Sequence, residues 1–151
     1  MSGDLEELYQ SIILDHNRRP QNFRAMGDST AHAEGLNPMC GDQLSVWLKM
    51  DGDRVADISF QGQGCAISKA SASLMTAAIK GKSRADAEAL FEKFHALITG
   101  KGDGKDIGSL KAFSGVSRFP LRVKCASLGW HAMHSALHDG NKVVTTAPAE
   151  P

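Results

Sequence analysis

Gln43-Leu44-Ser45-Val46-Trp47-Leu48-Lys49-Met50-Asp51-Gly52-Asp53-Arg54-Val55-Ala56-Asp57-Ile58-Ser59-Phe60-Gln61 decides the fold. Leu44, Val46, Leu48 and Met50 alternate with Ser45, Trp47 and Lys49. Ala56, Ile58 and Phe60 alternate with Val55, Asp57, Ser59 and Gln61. Period-two alternation marks strands with one buried face, and Asp51-Gly52-Asp53 is a turn signal between them. The stretch therefore predicts an antiparallel hairpin, with a weaker third strand around residues 29–35.

Helical spacing surrounds this hairpin. Leu5, Leu8, Ile12 and Ile13 predict an amphipathic helix over 4–16. It stops before Pro20, which disfavours a helical residue ahead of it. Ser68 reads as the N-cap of a helix over 69–80. Ser83-Arg84-Ala85-Asp86 resembles a capping box opening a helix to about Thr99, with Leu90, Phe91, Phe94, Leu97 and Ile98 turned inward. Pro120 suits a first helical position, and Val123, Ala126, Trp130, Met133 and Leu137 form a stripe as far as His138. The expected fold is α+β: a small three-stranded antiparallel sheet packed with several helices. One domain over 1–140 and a disordered C-terminal tail over 141–151 are expected.

The chain has 151 residues, enough to bury roughly 68–70% of its unfolded surface without disulfides. Lys+Arg and Asp+Glu both number 17, which argues against a general nucleic-acid binder. The N-terminal stretch is acidic and no early apolar run approaches the roughly 20 residues of a membrane span, so a cytoplasmic protein is expected. Three cysteines cannot all pair within the chain, and in a reducing compartment scattered cysteines point to metal binding or catalysis. The glycine-rich loop over 100–108 is not a phosphate loop. Neither Lys101 nor Lys105 is followed by Ser or Thr, and the loop follows a helix rather than a strand.

The cysteines can be placed on this scaffold. Cys40 and Asp42 fall just before the first hairpin strand, and Cys65 at the end of the second. In an antiparallel hairpin those two ends lie side by side, so the three residues converge. Cys125 joins them if the last helix packs over the same end of the sheet. Zinc takes cysteine sulfur and carboxylate oxygen in four-coordinate sites. Cys65 also sits near a helix N-terminus, where the dipole favours a thiolate. Each residue has an ordinary alternative: Cys125 and Cys65 as small core residues and Asp42 as a turn residue.

Four segments narrow the choice: Leu8-Tyr9 with Asp15-His16-Asn17-Arg18-Arg19-Pro20-Gln21-Asn22; Asn37-Pro38-Met39-Cys40-Gly41-Asp42; Phe60-Gln61-Gly62-Gln63-Gly64-Cys65-Ala66-Ile67-Ser68-Lys69-Ala70-Ser71; and Phe119-Pro120-Leu121-Arg122-Val123-Lys124-Cys125-Ala126. Together they resemble the IscU/NifU-N family, over residues 5 to 138, and within it the SufU branch. Scaffold-type IscU proteins carry a histidine where this chain has Lys124, and join the second and third cysteines by a shorter segment.

The resemblance implies a zinc-dependent sulfurtransferase of iron–sulfur cluster biogenesis, with Zn2+ at one edge of the sheet on Cys40, Asp42, Cys65 and Cys125. It implies as partners a SufS-type cysteine desulfurase and a downstream cluster-assembly scaffold, with no nucleic acid and no membrane. A desulfurase histidine would replace Cys40 on the metal, freeing Cys40 as the catalytic residue that accepts persulfide sulfur. The alternatives are a scaffold holding a transient iron–sulfur cluster on the same ligands, and a non-catalytic structural zinc module that binds a protein partner. Arg122 is a candidate for steadying the sulfur-bearing loop, and by analogy His16 and Arg18 face the partner. His131, His134 and His138, spaced i, i+3, i+7, suggest a second metal, but on a polar face shared with Ser127 and Ser135 they read rather as a solvated stripe.

Overall fold

The computed structural model describes residues 2–138 and 142–145, with side chains over 7–138. Helix α1 (Ser2–Arg18) leads to strands β1 (Ala31–Asn37), β2 (Asp42–Asp51) and β3 (Arg54–Gln63). Helices α2 (Ala66–Ile79) and α3 (Arg84–Ile98) follow. Two 3-10 segments, Gly108–Phe113 and Val116–Arg118, precede α4 (Pro120–His138), and β4 (Lys142–Thr145) comes last. The sheet order among the described residues is β3-β2-β1-β4.

The expected three-stranded antiparallel sheet is present. Asp42 pairs with Asn37 and Gln43 with Gln63, so β2 lies between β1 and β3. Gly52, at the first of two loop positions between the paired Asp51 and Arg54, takes φ +60, a conformation that suits glycine. Leu44, Val46 and Leu48 are buried as the alternation requires. In β3 the alternation slips. The register shifts between Lys49 and Met50, so Val55 faces the core and Ala56 does not. A bulge inserts one unpaired residue and reverses the facing of what lies beyond it, so Ala56, expected inside, is outside.

The sheet also gains a strand. Lys142–Thr145, within the expected tail, runs parallel to β1 against Ala33–Leu36. Its two valines and threonine carry strand propensity that the proline-tipped sequence after it obscured. Residues 141 and 146–151 of that tail, and 139–140 before it, lie outside the described residues.

The outer edge of β3 is covered rather than left open. Phe60 N–H donates to Asn22 O at 3.0 Å and Arg24 N–H to Phe60 O at 3.0 Å. Val55 N–H donates to Lys82 O near the other end. Such cover removes a template for strand addition. The covering loop is fixed to α2 by Gln21 N–H to Ser73 Oγ (2.8 Å) and Asn22 Nδ2 to Thr76 Oγ1 (3.0 Å).

Helix α4 packs on β1, β2 and α2 and is buried without interruption from Cys125 to Trp130. Small residues allow this. A Cβ on Gly129 would lie 3.1 Å from Ala72 Cβ, and one on Gly35 would lie 2.9 Å from a Leu128 methyl carbon. Trp130 is fully buried, stacks on Phe94 at 4.5 Å between centroids, and donates its indole N–H to Ser71 Oγ at 3.2 Å. Ser71 donates in turn to Ala126 O at 2.6 Å. Burial of side chains this large contributes about 1.5–3 kcal/mol each.

Ser71→Ala leaves the buried Trp130 indole N–H without its partner and removes a second bond to the Ala126 C=O. Urea denaturation is expected to show a loss of about 1–3 kcal/mol with an unchanged m-value. A stability equal to wild type would contradict that role for Ser71.

Candidate metal centre

Four residues link β1 to β2. Cys40 N–H and Gly41 N–H both turn back to Asn37 O, at 3.3 and 2.9 Å, and Gly41 takes φ +72. The turn leaves Cys40 exposed at its tip and returns the chain so that Asp42 stands opposite Asn37. Asp42 is 2% exposed. Its Oδ1 accepts from Cys65 N–H at 2.9 Å, and its Oδ2 from Asn37 Nδ2 at 3.5 Å.

The end of β3 is shaped around that carboxylate. Gly62 has φ +144, and a Cβ there would sit 2.0 Å from Gln43 O. A Cβ on Gly64 would sit 2.7 Å from Asp42 Oδ1. Glycine at 64 is what lets the chain approach Asp42 closely enough for Cys65 N–H to reach it.

Cys65, not Ser68, caps α2. Its sulfur accepts from Ser68 N–H at 3.4 Å, and the helix starts at Ala66. Thiols fall outside the usual set of capping side chains, so the serine three positions later drew the prediction. Ser68 is instead fully buried, and its hydroxyl has no protein partner.

Cys125, 3% exposed, is presented by the second turn of α4. Its sulfur lies 3.5 Å from Cys40 Sγ and 3.6 Å from Asn37 Nδ2. One ligand atom each of Cys40, Asp42 and Cys125 falls within 4.8 Å of the others. Cys65 is outside that compact trio but borders it twice, through its N–H on Asp42 and its thiol beside Cys125. The hydrogen bond with Cys125 is the main cause that lowers the Cys65 thiol to about 6; amide donors at the helix start add to it. The same pairing, together with burial, pushes the Cys125 thiol up. The two thiols thus shift in opposite directions, Cys65 down and Cys125 up, because each faces the other.

This donor set fits zinc. Thiolate sulfurs and a carboxylate oxygen are its usual protein ligands, and a proton held between thiols is what a binding metal displaces. Asn37, expected only as part of a motif, has a specific place here: one amide group reaches both Asp42 and Cys125. The signal was its position across the strand pair from Asp42.

His16 turns to Ser73 Oγ at 2.7 Å, tying α1 to α2, and burial lowers its pKa. Arg18 is exposed. Arg122 lays its guanidinium over the Phe119 ring at 4.4 Å. The helix histidines are not a freely solvated stripe, because α3 packs along that side of α4.

Two outcomes follow from the geometry. In metal-free protein, iodoacetamide labelling followed by mass spectrometry should modify Cys65 with a midpoint at about 6. Cys125→Ala should move that midpoint up toward the ordinary thiol value of about 8.5; an unmoved midpoint would contradict the pairing. Gly64→Ala should displace the Asp42 carboxylate and weaken zinc binding roughly 10–100-fold, measured against a chromophoric chelator.

The family profile described as "NifU-like N terminal domain" matches residues 8–126. The chain is 42% identical over 138 residues to the zinc-dependent sulfurtransferase SufU of Bacillus subtilis, covering 90% of this chain and 93% of that protein. It is 38% identical to the iron–sulfur cluster assembly scaffold protein IscU of Streptococcus pyogenes, covering 88% of this chain and 84% of that one. The crystal structure of FiSufU from Fervidobacterium islandicum superposes with a TM-score of 0.79 at 32% identity, covering 83% and 93% of the two chains. The profile and the full-length identities agree, and the chain belongs to the NifU-like N-terminal domain family of iron–sulfur cluster assembly proteins.

Proposed function

We propose that this protein is a zinc-dependent sulfur acceptor that takes persulfide sulfur from a SufS-type cysteine desulfurase in the cytoplasm and passes it to a downstream cluster-assembly scaffold. The observation that carries the reading is the unequal placement of the candidate ligands. Asp42 and Cys125 are buried and held by Asn37, while Cys40 is exposed at a loop tip beside a positive-φ glycine. Loops with few tertiary contacts are where movement costs least. The likeness to a relative named a zinc-dependent sulfurtransferase supports the same reading.

Cys40, Asp42, Cys65 and Cys125 would hold the metal. Bound zinc supplies charge that keeps the cysteine sulfurs deprotonated at neutral pH. Everything else falls to the chain's own residues. Asn37 and the Cys65 N–H orient Asp42, α4 fixes Cys125, and the loop presents Cys40. The Cys40 thiolate attacks the terminal sulfur of the desulfurase persulfide. A new bond forms between Cys40 Sγ and that sulfur, the sulfur–sulfur bond in the desulfurase breaks, and its cysteine leaves as a thiolate. The sulfane sulfur keeps its oxidation level, so the step needs no oxidant or reductant.

Exposed apolar side chains near the relevant elements suit a protein partner. Met39 adjoins Cys40, and Phe119 and Leu121 flank the start of α4, all about half exposed. Among the described residues no helix is long and apolar enough to cross a membrane. A second reading, a scaffold that builds a cluster on the same ligands, is favoured by the identity to relatives named IscU scaffolds. Anaerobic reconstitution separates the two: zinc retained without a cluster supports sulfur transfer, and a stable cluster transferable to an apo-protein supports scaffolding.

The purified protein is expected to stimulate cysteine-dependent sulfide release by its desulfurase and to carry extra sulfur on Cys40 in peptide mass spectra. Cys40→Ala should abolish both. Stimulation by Cys40→Ala equal to wild type would sink the proposal.

A further inference from the structure

A second group of metal-ligating side chains lies at the far end of α4. His134 and His138 are four residues apart, so they share one face of the helix on successive turns. Glu88 faces them from α3. Both imidazole Nε2 atoms approach the same carboxylate oxygen, at 3.3 Å from His134 and 2.5 Å from His138. The ligand atoms of all three lie within 4.8 Å of one another. We propose that Glu88, His134 and His138 form a second metal site, for a zinc-class divalent ion, that shares no residue with the cysteine centre.

The scaffold holds the three side chains in place before any ion arrives. Phe91 stacks on the His134 ring at 4.5 Å and 20°, which fixes its plane. Ser83 caps α3 and Arg84 donates to Leu137 O, so the start of α3 is tied to the end of α4. Two imidazoles with a spacing of four residues on a helix, joined by a carboxylate, leave coordination positions open to water or another ligand. The side chains are 34–41% exposed, so an ion can enter from solvent.

The donor set decides the class of ion. Two nitrogens and one oxygen suit zinc, nickel, cobalt or copper(II), while magnesium and calcium prefer all-oxygen sites. Along α4, at 1.5 Å per residue, the site is about 14–20 Å from Cys125. An ion there cannot share ligands with the cysteine centre. Neighbouring His131 does not compete as a cation, since burial lowers its pKa to about 4.

The test is zinc titration of the purified full-length protein, followed by the imidazole resonances in 1H–15N NMR. The expected result is saturable movement of the His134 and His138 signals, separate from any uptake at the cysteines, with magnesium producing none. In cobalt titrations the same equivalent should show d–d bands without a thiolate charge-transfer band. Glu88→Gln and His138→Ala should each abolish this equivalent while leaving tightly bound zinc and the melting temperature unchanged. Unmoved histidine signals at millimolar zinc would overturn the proposal and leave the trio as an ion-paired helix clamp. Retention of the second equivalent in both variants would overturn it equally.

Discussion

The buried carboxylate of Asp42 is the constraint around which this structure closes. A carboxylate taken out of water is strongly unfavourable unless hydrogen-bonded or bound to a cation. Asp42 gains its bonds from Cys65 N–H and the Asn37 amide, on two other stretches of chain. Those bonds fix where β1 ends, how β3 turns into α2, and which direction the Cys65 thiol faces. The glycine at 64 exists in the same relation, since any side chain there would meet the carboxylate.

Helix α4 supplies the other half of the centre. Gly129 against Ala72, and Leu128 over Gly35, bring its axis down onto the sheet and α2. That close approach brings Cys125 to the end of the hairpin rather than above it. The core behind, from Trp130 and Phe94 to Phe113, is built of stacked and edge-on rings that fix the rotation of the helix. A buried holder and an exposed loop tip thus meet at one point: Cys125 and Asp42 on the inside, Cys40 on the outside. The proposed sulfur transfer rests on this contrast more than on the ligand identities.

Much of this was legible in the residues. Alternation in β2 and helical spacing in α3 and α4 marked those elements because each buries a single face. Hairpin geometry brought Cys65 up to Asp42, while the compact trio of Cys40, Asp42 and Cys125 also needed α4. Other features were hidden for physical reasons. The bulge beside Met50 has no signature of its own, because Val55 and Ala56 are both apolar enough to occupy a core position. Cys65 as a helix cap was masked by Ser68, a better capping type by composition. The histidine stripe looked solvated because polarity along one helix does not reveal that α3 packs beside it. Strand β4 depends on a tertiary partner, β1, far away in sequence.

The most direct measurement is zinc K-edge X-ray absorption on the as-purified protein with Glu88→Gln and His138→Ala in place, so that only the cysteine centre contributes. The account predicts a four-coordinate ion with three sulfur ligands at about 2.3 Å and one oxygen at about 2.0–2.2 Å, and loss of one sulfur in Cys40→Ala. A first shell made only of nitrogen and oxygen, or one unchanged by Cys40→Ala, would contradict it.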